Sequence, residues 1–284
     1  MKKVISMSLW GDKSGYVLGA ILNADIAEEL FPDWICRFYV APTVPEAAVK
    51  ELASRDNVEI IMMEEDVSWN GMFWRFYAAG DPEVDVMISR DTDSRLNVRD
   101  KAAVDEWLAS DKDFHIMRDM CQHGWNICGG MWGARNGVVK NIVGMINGYS
   151  RKEKQNAHGI DQQFLATEIY PYVVKHKAFI HDDWFPQNYR GLHFPYQNED
   201  KRPFPIPRLR GEGWWNTEFP EWHSGIEDDV ENYPFWQPPD GPGHCFLKCP
   251  ACGVFHDNDY IGKQRMPTEA DRKKYEHVMK ELSG

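Results

Sequence analysis

A chain of 284 residues, 43% hydrophobic and 27% charged, has the size and composition of one large α/β domain or a domain with an appendage. No apolar run reaches the roughly eighteen residues of a membrane helix, and the short run after Met1-Lys2-Lys3 lacks a cleavable small-residue site; the expectation is a cytoplasmic protein with no membrane span. A net charge of −12 argues against a surface built to grip nucleic acid, because such surfaces carry a basic excess.

In chain order, Lys2–Trp10 reads as a first strand that meets Gly11. Ser14–Leu30 then has helical spacing through Val17, Ile21, Ala24, Ile26 and Ala27. Trp34–Val40 is a second strand closed by Ala41-Pro42, and Pro45–Arg55 a helix with its proline near the start. Val58–Met63 is a third strand, Gly71–Gly80 a short helix, and Val84–Asp91 a fourth strand. Val98–Ser110 follows as a helix with Ala103, Val104, Trp107 and Leu108 on one side, then Asp113–Asp119 as a short strand. Asn126–Gly137 is glycine-rich and reads as backbone passing close to something. Val138–Tyr149 is a helix ending near Gly148, Gly159–His176 another, and Lys177–Phe185 a last strand. Strands alternating with helical patterns imply a mostly parallel sheet flanked by helices, here over residues 1–185.

From Pro186 the character changes to an extension, residues 186–284, rich in Pro, Gly and aromatics. Near its end Cys245, Cys249, Cys252 and His256 offer four ligands at knuckle spacing, within about residues 244–256, with His244 as an alternative fourth. Zn²⁺ prefers a tetrahedral site of this kind, and a structural zinc would staple a segment that lacks periodic apolar residues of its own. Pro267–Gly284 closes the chain as a helix that Thr268 can cap, with Asp271 in its first turn.

The fourth strand ends in Ser89-Arg90-Asp91-Thr92-Asp93-Ser94-Arg95. On a continuing strand Asp91 and Asp93 share a face and can converge on one hard cation, Mg²⁺ or Mn²⁺, beyond the sheet; Arg90 then lies on the opposite face with Thr92. Spacing alone equally allows a turn. A guanidinium matches phosphate with a planar fork of donors, although either arginine can instead form a structural pair with Asp91, Asp93 or Asp100; because Arg90 faces away from the two aspartates, Arg95 is favoured for substrate contact.

The run Ser89–Met120, followed by Gly129-Gly130-Met131-Trp132-Gly133-Ala134-Arg135, resembles a poorly characterised family within the GT-A-type nucleotide-sugar glycosyltransferases, which carry Asp-x-Asp after a central strand. The likeness covers about Val4 to Phe185. It implies a GT-A-like, Rossmann-like fold and a nucleotide-sugar donor whose diphosphate is held through a metal on Asp91 and Asp93. By the same likeness His181, with Asp182 and Asp183 as rivals, supplies a further metal ligand. Leu9, Trp10 and Gly11 offer backbone contacts to the nucleotide, and Tyr16 a stacking face. Gly130 lets a sugar approach, Trp132 offers a platform, and Gln162 faces sugar or acceptor. Asp161 is the first candidate base, with Asp119 as the alternative if the transfer inverts; a retaining transfer needs none. Arg208 and Arg210, in the basic stretch Lys201–Arg210, are candidates to close over the diphosphate or to contact an anionic acceptor such as nucleic acid.

The leading expectation is therefore a metal-dependent glycosyltransferase, hexosyl or pentosyl, using a UDP-sugar and an unidentified hydroxyl acceptor. The alternatives are a nucleotidyl- or phosphoryl-transfer enzyme, for which Leu9–Gly15 is a poor phosphate loop, or a nucleic-acid-binding zinc-knuckle adaptor. A glycosyltransferase acting on modified nucleic acid would merge two of these.

Overall fold

The structure is a computed structural model and describes residues 1–64, 69–118, 126–152, 159–175, 178–182 and 269–282. Asp119, Asp183, Arg208, Arg210 and the cluster Cys245, Cys249, Cys252 and His256 lie outside the described residues. The chain divides into two compact units. The first comprises Met1–Asn97, Gly133–Phe164 and Gly262–Gly284, and the second Val98–Trp132 and Leu165–Ile261.

In the first unit, β1 (Lys3–Leu9), β2 (Trp34–Val40), β3 (Val58–Met62) and β4 (Val86–Ser89) lie in the order β3-β2-β1-β4, with β6 (Trp132–Arg135) beside β4. The β1–β2, β2–β3 and β1–β4 pairings are parallel, and β1 meets β4 from Lys3↔Val86 to Ser6↔Ser89. Strands β1, β2 and β4 are apolar runs buried on both faces, as the centre of a parallel sheet requires. The chain therefore winds outward from β1 through β2 to β3, then returns to the other side of β1 as β4. Strand order reverses at the β1/β4 boundary.

Helix α1 (Ser14–Leu30) buries Val17, Leu18, Ala20, Ile21, Ala24 and Ala27, close to the spacing read from the sequence. Helix α2 spans Glu46–Ala53, with Pro45 at its N-cap. The expected short helix at Gly71–Gly80 is instead a 3₁₀ segment, Trp69–Gly80. A 3₁₀ run of that length is unusual, because its hydrogen bonds are poorly aligned. Aromatic packing accompanies it here: Phe73 meets Tyr149 and Phe164, and Trp74 meets Trp10. Helix α4 (Ile142–Lys152) passes through Gly148, where an end was expected, and buries Ile142, Ile146 and Tyr149 along one side.

In the second unit, α3 (Val98–Ala109) buries Ala103, Val104 and Trp107, and β5 (Phe114–Arg118) pairs in parallel with β7 (Ala178–Asp182). The glycine-rich stretch, read as backbone passing close to something, includes β6. The helix expected from Gly159 is interrupted. Helix α5 (Ile160–Phe164) passes into a π turn at Leu165–Ile169 and then α6 (Tyr170–Lys175). Pro171 follows the π turn directly and has no N–H to give an α-helical ladder, so the wider turn falls where the ladder breaks.

The described part of the C-terminus forms α7 (Glu269–Lys274) and α8 (Glu276–Leu282). Among the described residues no helix is long and apolar enough to cross a membrane.

Candidate functional site

Strand β4 ends at Ser89, earlier than its sequence suggests, and Asp91–Ser94 is a turn in which the Ser94 N–H donates to the Asp91 carbonyl at 3.3 Å. The strand-face argument for Asp91 and Asp93 is thus replaced by a turn geometry, although the alternation persists in burial. Arg90 and Thr92 are buried, while Asp91 and Asp93 are partly exposed. Arg90 folds back so that Nη1 donates to the Ser89 carbonyl at 2.7 Å, a structural contact.

A side chain not singled out in the sequence holds this turn. Asn23, fully buried on α1, donates from Nδ2 to the Ser94 carbonyl at 2.8 Å and accepts at Oδ1 from the Leu96 N–H at 3.1 Å. One amide thus satisfies two buried backbone groups of the loop past β4. The close seating of the loop depends on Gly19, one turn earlier on α1. A Cβ there would lie 2.0 Å from the Thr92 carbonyl oxygen and 2.8 Å from Arg95 Nη1.

The second residue that sequence reasoning missed is Arg75. Its backbone N–H donates to Ser8 Oγ on β1 at 2.9 Å, and its guanidinium carbon lies 5.4 Å from the Phe76 ring centre. The side chain is 8% exposed. Nη1 pairs with Asp91 Oδ1, and Nη2 with Asp161 Oδ2 at 2.6 Å. Asp161, in the first turn of α5, is brought there by Phe164, which packs 5.4 Å from Phe73 and 6.4 Å from Phe76 between ring centres. Two carboxylates named from the sequence for different tasks therefore share one guanidinium. A signal was present, since Arg75 is the sole charge in Trp69–Gly80, a stretch otherwise full of aromatics.

The electrostatics of the trio follow from its burial. Burial pushes the Asp161 carboxyl above the ordinary range, and the charge on Asp91 adds to this, while Arg75 works against it. Desolvation opposes the Arg75 charge, but the two carboxylates outweigh it and hold its pKa up. Asp161 Oδ1 is buried with no hydrogen-bond partner among the described residues. Arg95 donates from Nη1 to the Thr92 carbonyl at 3.1 Å; burial lowers its pKa, and the charges on Asp93 and Asp271 oppose that.

On the β1 side, Leu9 is buried and Trp10 half-buried with its edge against Trp74, the ring centres 6.4 Å apart. Gly11 has φ +70, a conformation that suits glycine, and its N–H donates to Thr43 Oγ1 at 2.9 Å. Tyr16 is 44% exposed, and Gln162 is half-buried beside Asp161.

In the second unit His181 is fully buried. Its Nδ1 shares a hydrogen bond with His115 Nε2 at 2.8 Å and its Nε2 one with Glu106 Oε2 at 3.0 Å, so a metal on either nitrogen has to displace a partner. Gly130 is buried in the turn before β6, and the Trp132 ring is fully buried, presenting no face to a ligand in this structure.

As a donor set for Mg²⁺ or Mn²⁺, Asp91 and Asp93 fit. Both are hard oxygen ligands, partly open to solvent, and such ions take a few protein oxygens and complete their shell with phosphate and water. No group of three His, Cys, Asp or Glu able to hold an ion occurs among the described residues.

No protein-family model matches the chain, and no curated protein does. Among solved structures, it is similar to a glycosyltransferase involved in the glycosylation of the major capsid of PBCV-1, at 13% identity and TM-score 0.43, covering 64% of this chain and 82% of that one. It is also similar to a 4-diphosphocytidyl-2C-methyl-D-erythritol synthase from Anaerococcus prevotii, at 10% identity and TM-score 0.41, covering 63% of this chain and 87% of that one.

Proposed function

We propose that this chain is a metal-dependent glycosyltransferase that takes its sugar from a nucleotide diphosphate sugar, with a UDP-sugar as first candidate. The observation that carries the reading is the place of Asp91 and Asp93. They occupy a turn directly past the carboxyl end of β4, at the β1/β4 boundary where strand order reverses. Open α/β sheets take their ligands in that crevice.

Asp91 and Asp93 would hold Mg²⁺ or Mn²⁺ against the donor diphosphate. When bound, such an ion neutralises the charge that grows on the leaving diphosphate. The loop Leu9-Trp10-Gly11 and Tyr16 would receive the nucleotide, and Arg95 a phosphate oxygen. Asp161 is the candidate base for an inverting transfer. Its raised pKa and its partnerless buried oxygen suit a group that accepts a proton from the acceptor hydroxyl as that oxygen attacks the sugar. The knuckle Cys245, Cys249, Cys252 and His256 is proposed as a separate structural zinc site.

The test is a thermal-shift screen of UDP-, GDP- and CMP-sugars with and without Mn²⁺. One nucleotide sugar should raise the melting temperature by about 2 °C or more, only with metal, and chelation should abolish the shift. Asp91→Asn and Asp93→Asn should keep the apo melting temperature within a few degrees and lose the ligand shift. No shift with any donor, or a full shift in both variants, overturns the reading.

A further inference from the structure

We infer that Arg75 sets the affinity of the Asp91 carboxylate for a divalent cation by competing for it, and so acts as a built-in counter-cation of the site. The inference rests on the proposed reading of Asp91 and Asp93 as metal-facing carboxylates.

The geometry is asymmetric. Arg75 cannot easily withdraw: its backbone is tied to Ser8 Oγ, its side chain is 8% exposed and it lies over Phe76. Asp161, on one arm of the guanidinium, is 1% exposed and equally fixed. Asp91, on the other arm, is 40% exposed. The arm that can exchange partners is therefore the one to Asp91, on the open side of the site. A divalent ion arriving from solvent meets a carboxylate already neutralised by a fixed positive charge.

The charge balance points the same way. Asp91, Asp93 and Asp161 contribute three negative charges, and Arg75 offsets one of them while hydrogen-bonded to Asp91 Oδ1, one of the proposed ligand oxygens. Two like charges held close in a partly desolvated site repel strongly, so Arg75 opposes the ion even where the Asp91 carboxylate is shared between them. The same guanidinium keeps Asp161 from being an uncompensated buried carboxylate while no ion is present. Arg75 is in these terms a positioning residue. It holds two carboxylates, from the turn past β4 and from α5, in a fixed relation and weakens metal binding in doing so.

The experiment uses the full chain and Mn²⁺ alone. Free Mn²⁺ is followed by its EPR signal at constant ionic strength in the wild type, Asp91→Asn, Arg75→Met, Asp161→Asn and the double variant Arg75→Met with Asp161→Asn. Arg75→Met should bind Mn²⁺ more tightly, on the order of tenfold, and Asp91→Asn should lose the site. If Arg75→Met strands its buried carboxylate and fails to fold, the comparison moves to the double variant against Asp161→Asn alone, where tightening of the same sign is expected. Unchanged or weaker Mn²⁺ binding on loss of Arg75, with Asp91→Asn still abolishing the site, overturns the inference and leaves the metal reading standing. Equal Mn²⁺ binding in Asp91→Asn and wild type overturns the metal reading itself, and the inference with it.

Discussion

Asp161 shows how one residue can satisfy two demands that conflict. As a side chain it is nearly fully buried, which disfavours its charge; as a partner of Arg75 it is held in the ionised geometry of a salt bridge. Burial wins, and the carboxyl sits above its ordinary range. The folded state then holds that proton more tightly than the unfolded chain does. Between the ordinary carboxylate range and the raised value the native state binds more protons, so this group's contribution to stability falls as pH rises through that window. Asp161→Asn removes the contribution. The melting temperature of the variant relative to wild type should therefore shift in the variant's favour as pH rises above the ordinary carboxylate range. A difference that moves the other way would show that the Arg75 ion pair, not burial, sets this carboxyl. Asp161 was singled out in the sequence, by the family likeness and by its place at a helix start. Arg75 and Asn23 were not, because a lone arginine among aromatics and an asparagine in a helix acquire meaning only from the groups that face them.

At the scale of elements, what fixes the turn past β4 is helix α1 rather than the strand. The Asp91–Ser94 turn is pressed against the missing side chain of Gly19 and pinned by Asn23. Replacing glycine by alanine within a helix ordinarily gains about 1 kcal/mol from backbone propensity. Here the added methyl meets a carbonyl oxygen at 2.0 Å, and overpacking of a close-packed contact costs roughly 1–3 kcal/mol. The clash should win, so Gly19→Ala is expected to lower stability in urea unfolding; a gain would mean that the turn yields freely. Strands β1, β2 and β4 could be read from apolar runs, because burial on both faces demands them. β6 could not: Trp132-Gly133-Ala134-Arg135 has little strand propensity of its own, and pairing with neighbouring strands makes it a strand. The long 3₁₀ segment and the π turn before Pro171 are likewise products of packing and of a missing N–H.

At the scale of the whole chain, the last described helices return to the first unit. Asp25 on α1 accepts from Arg55 Nε at 2.9 Å, Lys274 Nζ at 2.8 Å and the Tyr275 hydroxyl, and these bonds outweigh burial to hold its carboxyl below the ordinary range. Glu281 accepts from the Ala47 N–H at 3.0 Å, and Val278 is fully buried. Asp25→Ala would leave Arg55, 12% exposed, without that partner. The expected loss is about 2 kcal/mol in denaturant unfolding, with faster proteolytic release of the C-terminal helices; unchanged proteolysis would mean that Val278 and Tyr275 hold them by packing alone. Sequence by itself determined the alternation of strands and helices, the mostly parallel sheet and the acidic pair following a central strand, because periodicity and burial are local demands that residues state one stretch at a time. Tertiary structure alone decided that Arg75 and Asp161 meet Asp91. They stand 16 and 70 residues away along the chain; the bond of the Arg75 N–H to Ser8 on β1, beside β4, closes the first separation, and the packing of Phe164 on Phe73 and Phe76 helps close the second.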